Sequence, residues 1–130
     1  MRLGYLILYV PDVDAALSFY SAAFGLERKF LTPEGDYGEV VSGACTLAFA
    51  REDLAGSHGF VFTPQRPEHR GAFEVVLVTE DVDAAHGTAV AAGAASLAEP
   101  ARKPWGQTVA YVSDPNGFTV ELCSPMPAQA

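Results

Sequence analysis

Cysteine is scarce in this chain. Cys45 and Cys123 are the only two, each inside an apolar run and neither in a CxxC or Cys/His spacing. That argues against a disulfide-framed scaffold or a cysteine-built zinc site, and two reduced, buried thiols are expected. Basic residues are also few. Eight Lys and Arg stand against 16 Asp and Glu, for a net charge of −8. Nucleic acid is therefore not an expected partner, because phosphate binding needs clustered cations. The same acidic surplus suits a cationic ligand. No apolar run approaches the roughly 18 residues that a membrane span requires. Residues 1–10 lack a basic region leading into an apolar one with a cleavage site, so no secretory leader is expected. The expectation is a cytoplasmic globular protein without membrane contact, with an apolar fraction of 49% to build its core.

What the chain does contain is a repeat. Asp-Val-Asp-Ala-Ala stands at residues 12–16 and again at 81–85. Superposing the two copies places the strand-like YLILYV (5–10) on EVVLVT (74–79). Downstream of the first copy, Val13, Ala16, Leu17, Tyr20 and Phe24 recur at the spacing of one helical stripe. Asp12 suits the N-cap, Asp14 the first turn, and Gly25 a left-handed C-terminal position. The second helix repeats this grammar from Asp81 to Gly93, but is poorer, with Gly87 inside it and mostly alanine on its stripe.

More strands are expected after each helix, near 27–32, 37–42 and 44–50 in the first half and 95–98, 107–112 and 118–123 in the second. Asp114-Pro115-Asn116-Gly117 is a strong turn signal between the last two. The organisation is thus one domain of two strand–helix–three-strand modules: module one at 1–50, a linker at 51–72, module two at 73–125 and a tail at 126–130. The fold class is α+β.

The segments VPDVDAALSFYSAAFGLE (10–27), VTEDVDAA (78–85) with AAGA (91–94), and KPWGQTVAYVSDPNGFTVEL (103–122) resemble the glyoxalase / bleomycin-resistance / extradiol-dioxygenase superfamily, also called the vicinal oxygen chelate family. The resemblance covers most of the chain. It implies two βαβββ modules forming an incomplete, barrel-like curved sheet with helices outside and a small-molecule cavity on the concave side. It also implies a homodimer.

Metal-dependent members of the family place one ligand on the first strand and one on the last strand of each module, usually His, Glu or Gln. The first-strand position lies seven residues before the Asp of the repeat, which here gives Tyr5 and Glu74. The last-strand position of module two is Glu121. Aligning Gly43 with Gly117 sets Leu47 opposite Glu121, with Ala48 as the next candidate. Two carboxylates, one phenol and one aliphatic side chain make a poor donor set, because a neutral Tyr is a weak ligand and carboxylate sites usually need more donors. No cofactor is favoured, and Glu74 and Glu121 are the residues that would hold a divalent metal if one is bound. His58 and His69 in the linker are further donors, although a solvated loop histidine is the plainer reading. His86, aligned with Leu17 on the helix, is read as structural.

Strand alternation would put Glu74 and Glu121 on the cavity face, as an acid/base pair or a clamp for a cation, unless they face open water. Trp105, in the PWG segment that bleomycin-resistance proteins resemble, is expected at a cavity lip, where an indole stacks on rings or attracts a cation. Tyr5, Tyr37, Phe49, Phe60, Phe62 and Tyr111 complete the expected ligand wall. Phe19, Tyr20 and Phe24 belong to core packing. The reading that results is a metal-independent binder that sequesters a small aromatic or cationic organic compound, as in antibiotic resistance of the bleomycin type. The alternative is a divalent-metal-dependent glyoxalase-like lyase or isomerase, or a dioxygenase, with Glu74 and Glu121 catalytic.

Overall fold

The computed structural model describes residues 1–128, so the last two residues of the expected tail lie outside it. The chain divides into two units, 1–64 and 65–130. In the first, β1 (Tyr5–Val10) leads to α1 (Val13–Phe24), then β2 (Arg28–Leu31), β3 (Tyr37–Val40), β4 (Thr46–Arg51) and a single turn, α2 (Leu54–Ser57). In the second, β5 (Val75–Val78) leads to α3 (Val82–Ala91), β6 (Ala95–Arg102), β7 (Thr108–Ser113) and β8 (Thr119–Cys123). Each unit holds one four-stranded sheet, in the orders β1-β4-β3-β2 and β5-β8-β7-β6. The first and last strands of a unit pair in parallel and the other pairs are antiparallel.

The repeated motif starts both helices. Asp12 Oδ1 accepts from the Ala15 amide and Asp81 Oδ1 from the Ala84 amide, each at 3.0 Å. Each carboxylate satisfies an amide that the first helical turn leaves without a partner. Asp12→Ala is expected to lower the unfolding free energy by about 1 kcal/mol, read as a shift in the urea midpoint; no shift would deny the cap its role. Gly25 closes α1 with φ 68°, and its amide donates to Ser21 O at 2.9 Å.

In unit one the core lies between α1 and one face of the sheet. Leu8, Val10, Val40, Leu47 and Phe49 meet Val13, Leu17 and Tyr20, all of them buried. Tyr20 and Phe49 rings stand 4.8 Å apart. Gly38 on β3 lets the helix approach, because a Cβ there would stand 2.6 Å from Leu17 Cδ1. In unit two, His86 takes Leu17's place in the repeat. It is buried, and its Nε2 lies 2.8 Å from Ser96 Oγ on β6, a polar substitute for an apolar helix contact.

Three expectations change. The second unit's β6 runs on to Arg102, beyond the expected 95–98; register shifts near Ala98 absorb its irregularity, and Pro100 is tolerated on a strand at the sheet edge. The stretch 51–72 is shared between the units instead of linking them freely. Residues up to Pro64 pack with unit one. Gln65 Nε2 and Arg70 Nη1 both donate to Gly117 O, at 3.1 and 2.8 Å, and tie the remainder to unit two. The last-strand position of module one is Ala48, not Leu47: Ala48 pairs with Ile7, as Glu121 pairs with Val76, and Ile7 and Val76 are equivalent in the repeat. Matching the turn glycines misses by one residue, and one residue in a strand turns the side chain to the other face.

Candidate functional site

In unit two the sheet face turned away from the helical side carries a connected polar cluster. Glu121 on β8 sits directly across from Tyr111 on β7, and the Tyr111 hydroxyl donates to Glu121 Oε1 at 3.0 Å. Glu74, just before β5, hydrogen-bonds the Glu121 carboxyl. That bond, aided by burial and by the neighbouring charge, pushes Glu74 up to about 7. Two adjacent carboxylates cannot both ionise cheaply, so they share a proton into the neutral range. Burial, followed by the Glu121 carboxylate, pushes the Tyr111 phenol up to about 12, which keeps it a neutral donor.

The cluster reaches outward through Cys123, two residues along β8. Its thiol is raised first by burial and then by Glu121, with Gln107 acting in the opposite sense. Gln107 Oε1 accepts from Trp105 Nε1 at 2.7 Å, while Gln107 Nε2 donates to Ser124 O at 2.8 Å. The Trp105 indole is 55% exposed. An exposed ring is thus held in orientation by Gln107, which is itself anchored on the Ser124 carbonyl. Gln107 was not singled out in the sequence, and Cys123 was read only as a buried thiol. Their signal was position: both share alternation parity with residues already chosen, Tyr111 and Glu121.

Unit one carries a second cluster on the corresponding face. Tyr37 Oη donates to Glu39 Oε2 at 2.8 Å, and Lys29 Nζ stands 3.6 Å from Glu39 Oε1. Burial and the Glu39 carboxylate hold the Tyr37 phenol well above its usual range, with Tyr5 contributing. Glu39 is itself buried and pairs with Ala48, as Tyr111 pairs with Glu121. The carboxylate missing from Ala48 therefore stands one strand over. Sequence reading passed over Glu39, although it lies two residues from Tyr37 on one strand and so shares its face. Tyr9 meets Phe62 and Phe60, with ring centroids 5.0 and 6.2 Å apart. Phe49 leaves the expected ligand wall: it is wholly buried against Tyr20, because its parity turns it to the helix.

The fit of a divalent metal can be judged unit by unit. The ligand positions of unit one hold Tyr5 and Ala48, which offer a phenol and a methyl group. Those of unit two hold Glu74 and Glu121, already bonded to each other. Among the described residues no group of three or more His, Cys, Asp or Glu side chains is placed to hold a metal ion, and His58 and His69 are exposed. This donor set does not suit the metal that the fold's chelating members carry.

Two βαβββ units, each with a polar cluster on the sheet face opposite the helix, define the architecture of this chain. The family model described as Glyoxalase/Bleomycin resistance protein/Dioxygenase superfamily matches residues 2–122, and the chain belongs to that superfamily. CFP32 of Mycobacterium bovis and of Mycobacterium tuberculosis, provisionally named a glyoxylase, is 30% identical over 122 residues, 94% of this chain. The chain spans 43% of the length of those relatives. A glyoxalase-related enzyme from Fulvimarina pelagi superposes with a TM-score of 0.83 at 23% identity, over 100% of this chain and 94% of that one. A protein of unknown function from Agrobacterium tumefaciens gives 0.77 at 25%, over 96% and 94%. Among the described residues no helix is long and apolar enough to cross a membrane.

Proposed function

We propose that this chain binds a small organic cation or cationic aromatic compound without a metal, and that sequestration is its role. The observation that carries the reading is the cluster on unit two, where an exposed indole held by Gln107 neighbours two coupled carboxylates. An indole face attracts a planar cation by roughly 0.5–2 kcal/mol, and a carboxylate pair sharing one proton supplies an adjustable negative charge. The chain's −8 charge adds long-range attraction for a cation. A cytoplasmic location and a homodimer are parts of the same proposal. The second reading, a lyase, isomerase or dioxygenase using Glu74 and Glu121 on a metal, draws on the glyoxylase naming of CFP32 and on the two adjacent carboxylates.

Trp105 is the chain's single tryptophan and reports on its own site. N-methylquinolinium is expected to quench its emission at concentrations at least about tenfold lower than the neutral, similarly shaped 1-methylnaphthalene. Equal quenching would remove the charge argument. Elemental analysis of protein purified without chelators is expected to find no stoichiometric divalent metal. A metal present one to one and lost in Glu121→Ala would establish the enzyme reading instead.

A further inference from the structure

Glu39 on β3 is a buried carboxylate of unit one, its side chain 10% exposed. Its two oxygens are placed differently. Oε2 accepts from the Tyr37 hydroxyl at 2.8 Å, and burial together with Glu39 holds the Tyr37 phenol above its usual range, so that donor keeps its proton. Oε1 accepts no hydrogen bond among the described residues. Lys29 Nζ stands 3.6 Å from it, close enough for an ion pair and too far for a hydrogen bond. Among the described residues no buried side-chain oxygen or nitrogen lacks a hydrogen bond, so Oε1 is the atom of Glu39 that reaches solvent. Ala48, paired with Glu39 across the sheet, offers only a methyl group beside it. Phe30, paired with Glu39 from β2, is 40% exposed, and its ring lies 6.0 Å from that of Tyr37.

We infer that unit one binds the hydroxyl group of a small aryl alcohol, with the hydroxyl oxygen seated between Glu39 Oε1 and Lys29 Nζ. The inference goes beyond the cation reading and uses none of its residues. A hydroxyl both donates and accepts. Its oxygen, about 2.8 Å from each group, closes a triangle over the 3.6 Å gap, donating to the carboxylate and accepting from the ammonium. A charged head fits less well: an ammonium would meet Lys29 and a carboxylate would meet Glu39, each a like charge at close range. The paired charges therefore select a neutral group. Water can make the same two bonds, so the attached ring is what distinguishes the guest. Phe30 and the exposed Tyr5, which shares the sheet face of Glu39 and Ala48, supply the apolar area for that ring.

4-Fluorobenzyl alcohol and its methyl ether make the test, because the ether keeps the acceptor and loses the donor. Each is titrated into the intact chain by fluorine NMR, while the Phe30 and Tyr37 ring resonances are followed in parallel. The alcohol is expected to move both rings and to bind at least about tenfold more tightly than the ether, since only the alcohol satisfies the carboxylate oxygen. Glu39→Gln and Lys29→Met are each expected to shrink that preference to under about threefold. Lys29 is exposed, so its replacement leaves the buried Tyr37–Glu39 bond in place. Equal affinities for the two compounds in the wild-type chain, or shifts that miss both rings, would overturn the subsite, and that comparison needs no variant to fold. A preference unchanged in Lys29→Met would overturn it as well. Trp105 quenching reports on the other unit, so the cation reading and this subsite fail separately.

Discussion

Gly117→Ala is expected to lower the unfolding free energy by about 3 kcal/mol, adding the strain of a forbidden backbone angle to a direct steric clash. Gly117 ends the turn between β7 and β8 with φ 91°, a region that L side chains rarely adopt. A Cβ there would overlap the backbone of Arg66 and Pro67, which lies against the turn. Its carbonyl holds that strap through Gln65 and Arg70, and Arg70 Nη1 also donates to Ser113 Oγ at 2.9 Å. Beneath it, Asp114 Oδ1 accepts from the Asn116 and Phe118 amides, both at 2.9 Å, so the turn cannot relax cheaply. Gly35 is the control: φ is 71°, and nothing lies near the added methyl. Gly35→Ala is expected to cost about 1 kcal/mol, from the angle alone. Urea denaturation of both variants measures the difference. Equal losses would mean that the 65–70 segment does not press on the turn.

Cation binding at the unit-two cluster is expected to strengthen about tenfold between pH 5.5 and pH 8.5, because the carboxylate pair gains its second charge as Glu74 loses its proton near pH 7. Glu74→Gln should abolish most of this dependence, leaving Glu121 with one fixed charge. The signal is N-methylquinolinium quenching of Trp105 across that range. A flat profile in the wild-type protein would deny the shared proton.

Stability should move in the opposite sense. Glu74 has a raised folded-state pKa, so the folded chain holds more protons than the unfolded chain between about pH 4.5 and 7. The stabilisation is complete below the lower value and is lost as pH rises through the upper one. Glu74 is exposed and water screens it, so the loss stays under about 1 kcal/mol. A cation bound at high pH would restore part of it.

Much of the architecture was legible in the chain. A helix announces itself by period and cap, and Asp12 and Asp81 are local signals that need no tertiary information. The turn at 114–117 and the duplicated strand–helix–three-strand order are equally local. Site residues were legible where a count from the repeat reached them, as with Tyr5, Glu74 and Glu121. The count failed at Ala48, because the connection between β3 and β4 differs from its counterpart by one residue and strand faces alternate at every step. Phe49 is a related case. Its aromatic character gave no hint of which side of the sheet it occupies, and the packing of Tyr20 decided that.

Residue type and spacing by themselves determined the two modules, their family and the poor donor set for a metal, since those depend on what lies along the chain. Tertiary structure alone decided which polar groups meet. Glu39 with Tyr37 and Lys29, and Glu74 with Glu121, Tyr111, Cys123, Gln107 and Trp105, become clusters only when strand register brings them together. The proton shared by Glu74 and Glu121 has the same origin: it depends on two carboxylates from opposite ends of module two being held at hydrogen-bonding distance, and no local pattern encodes that distance.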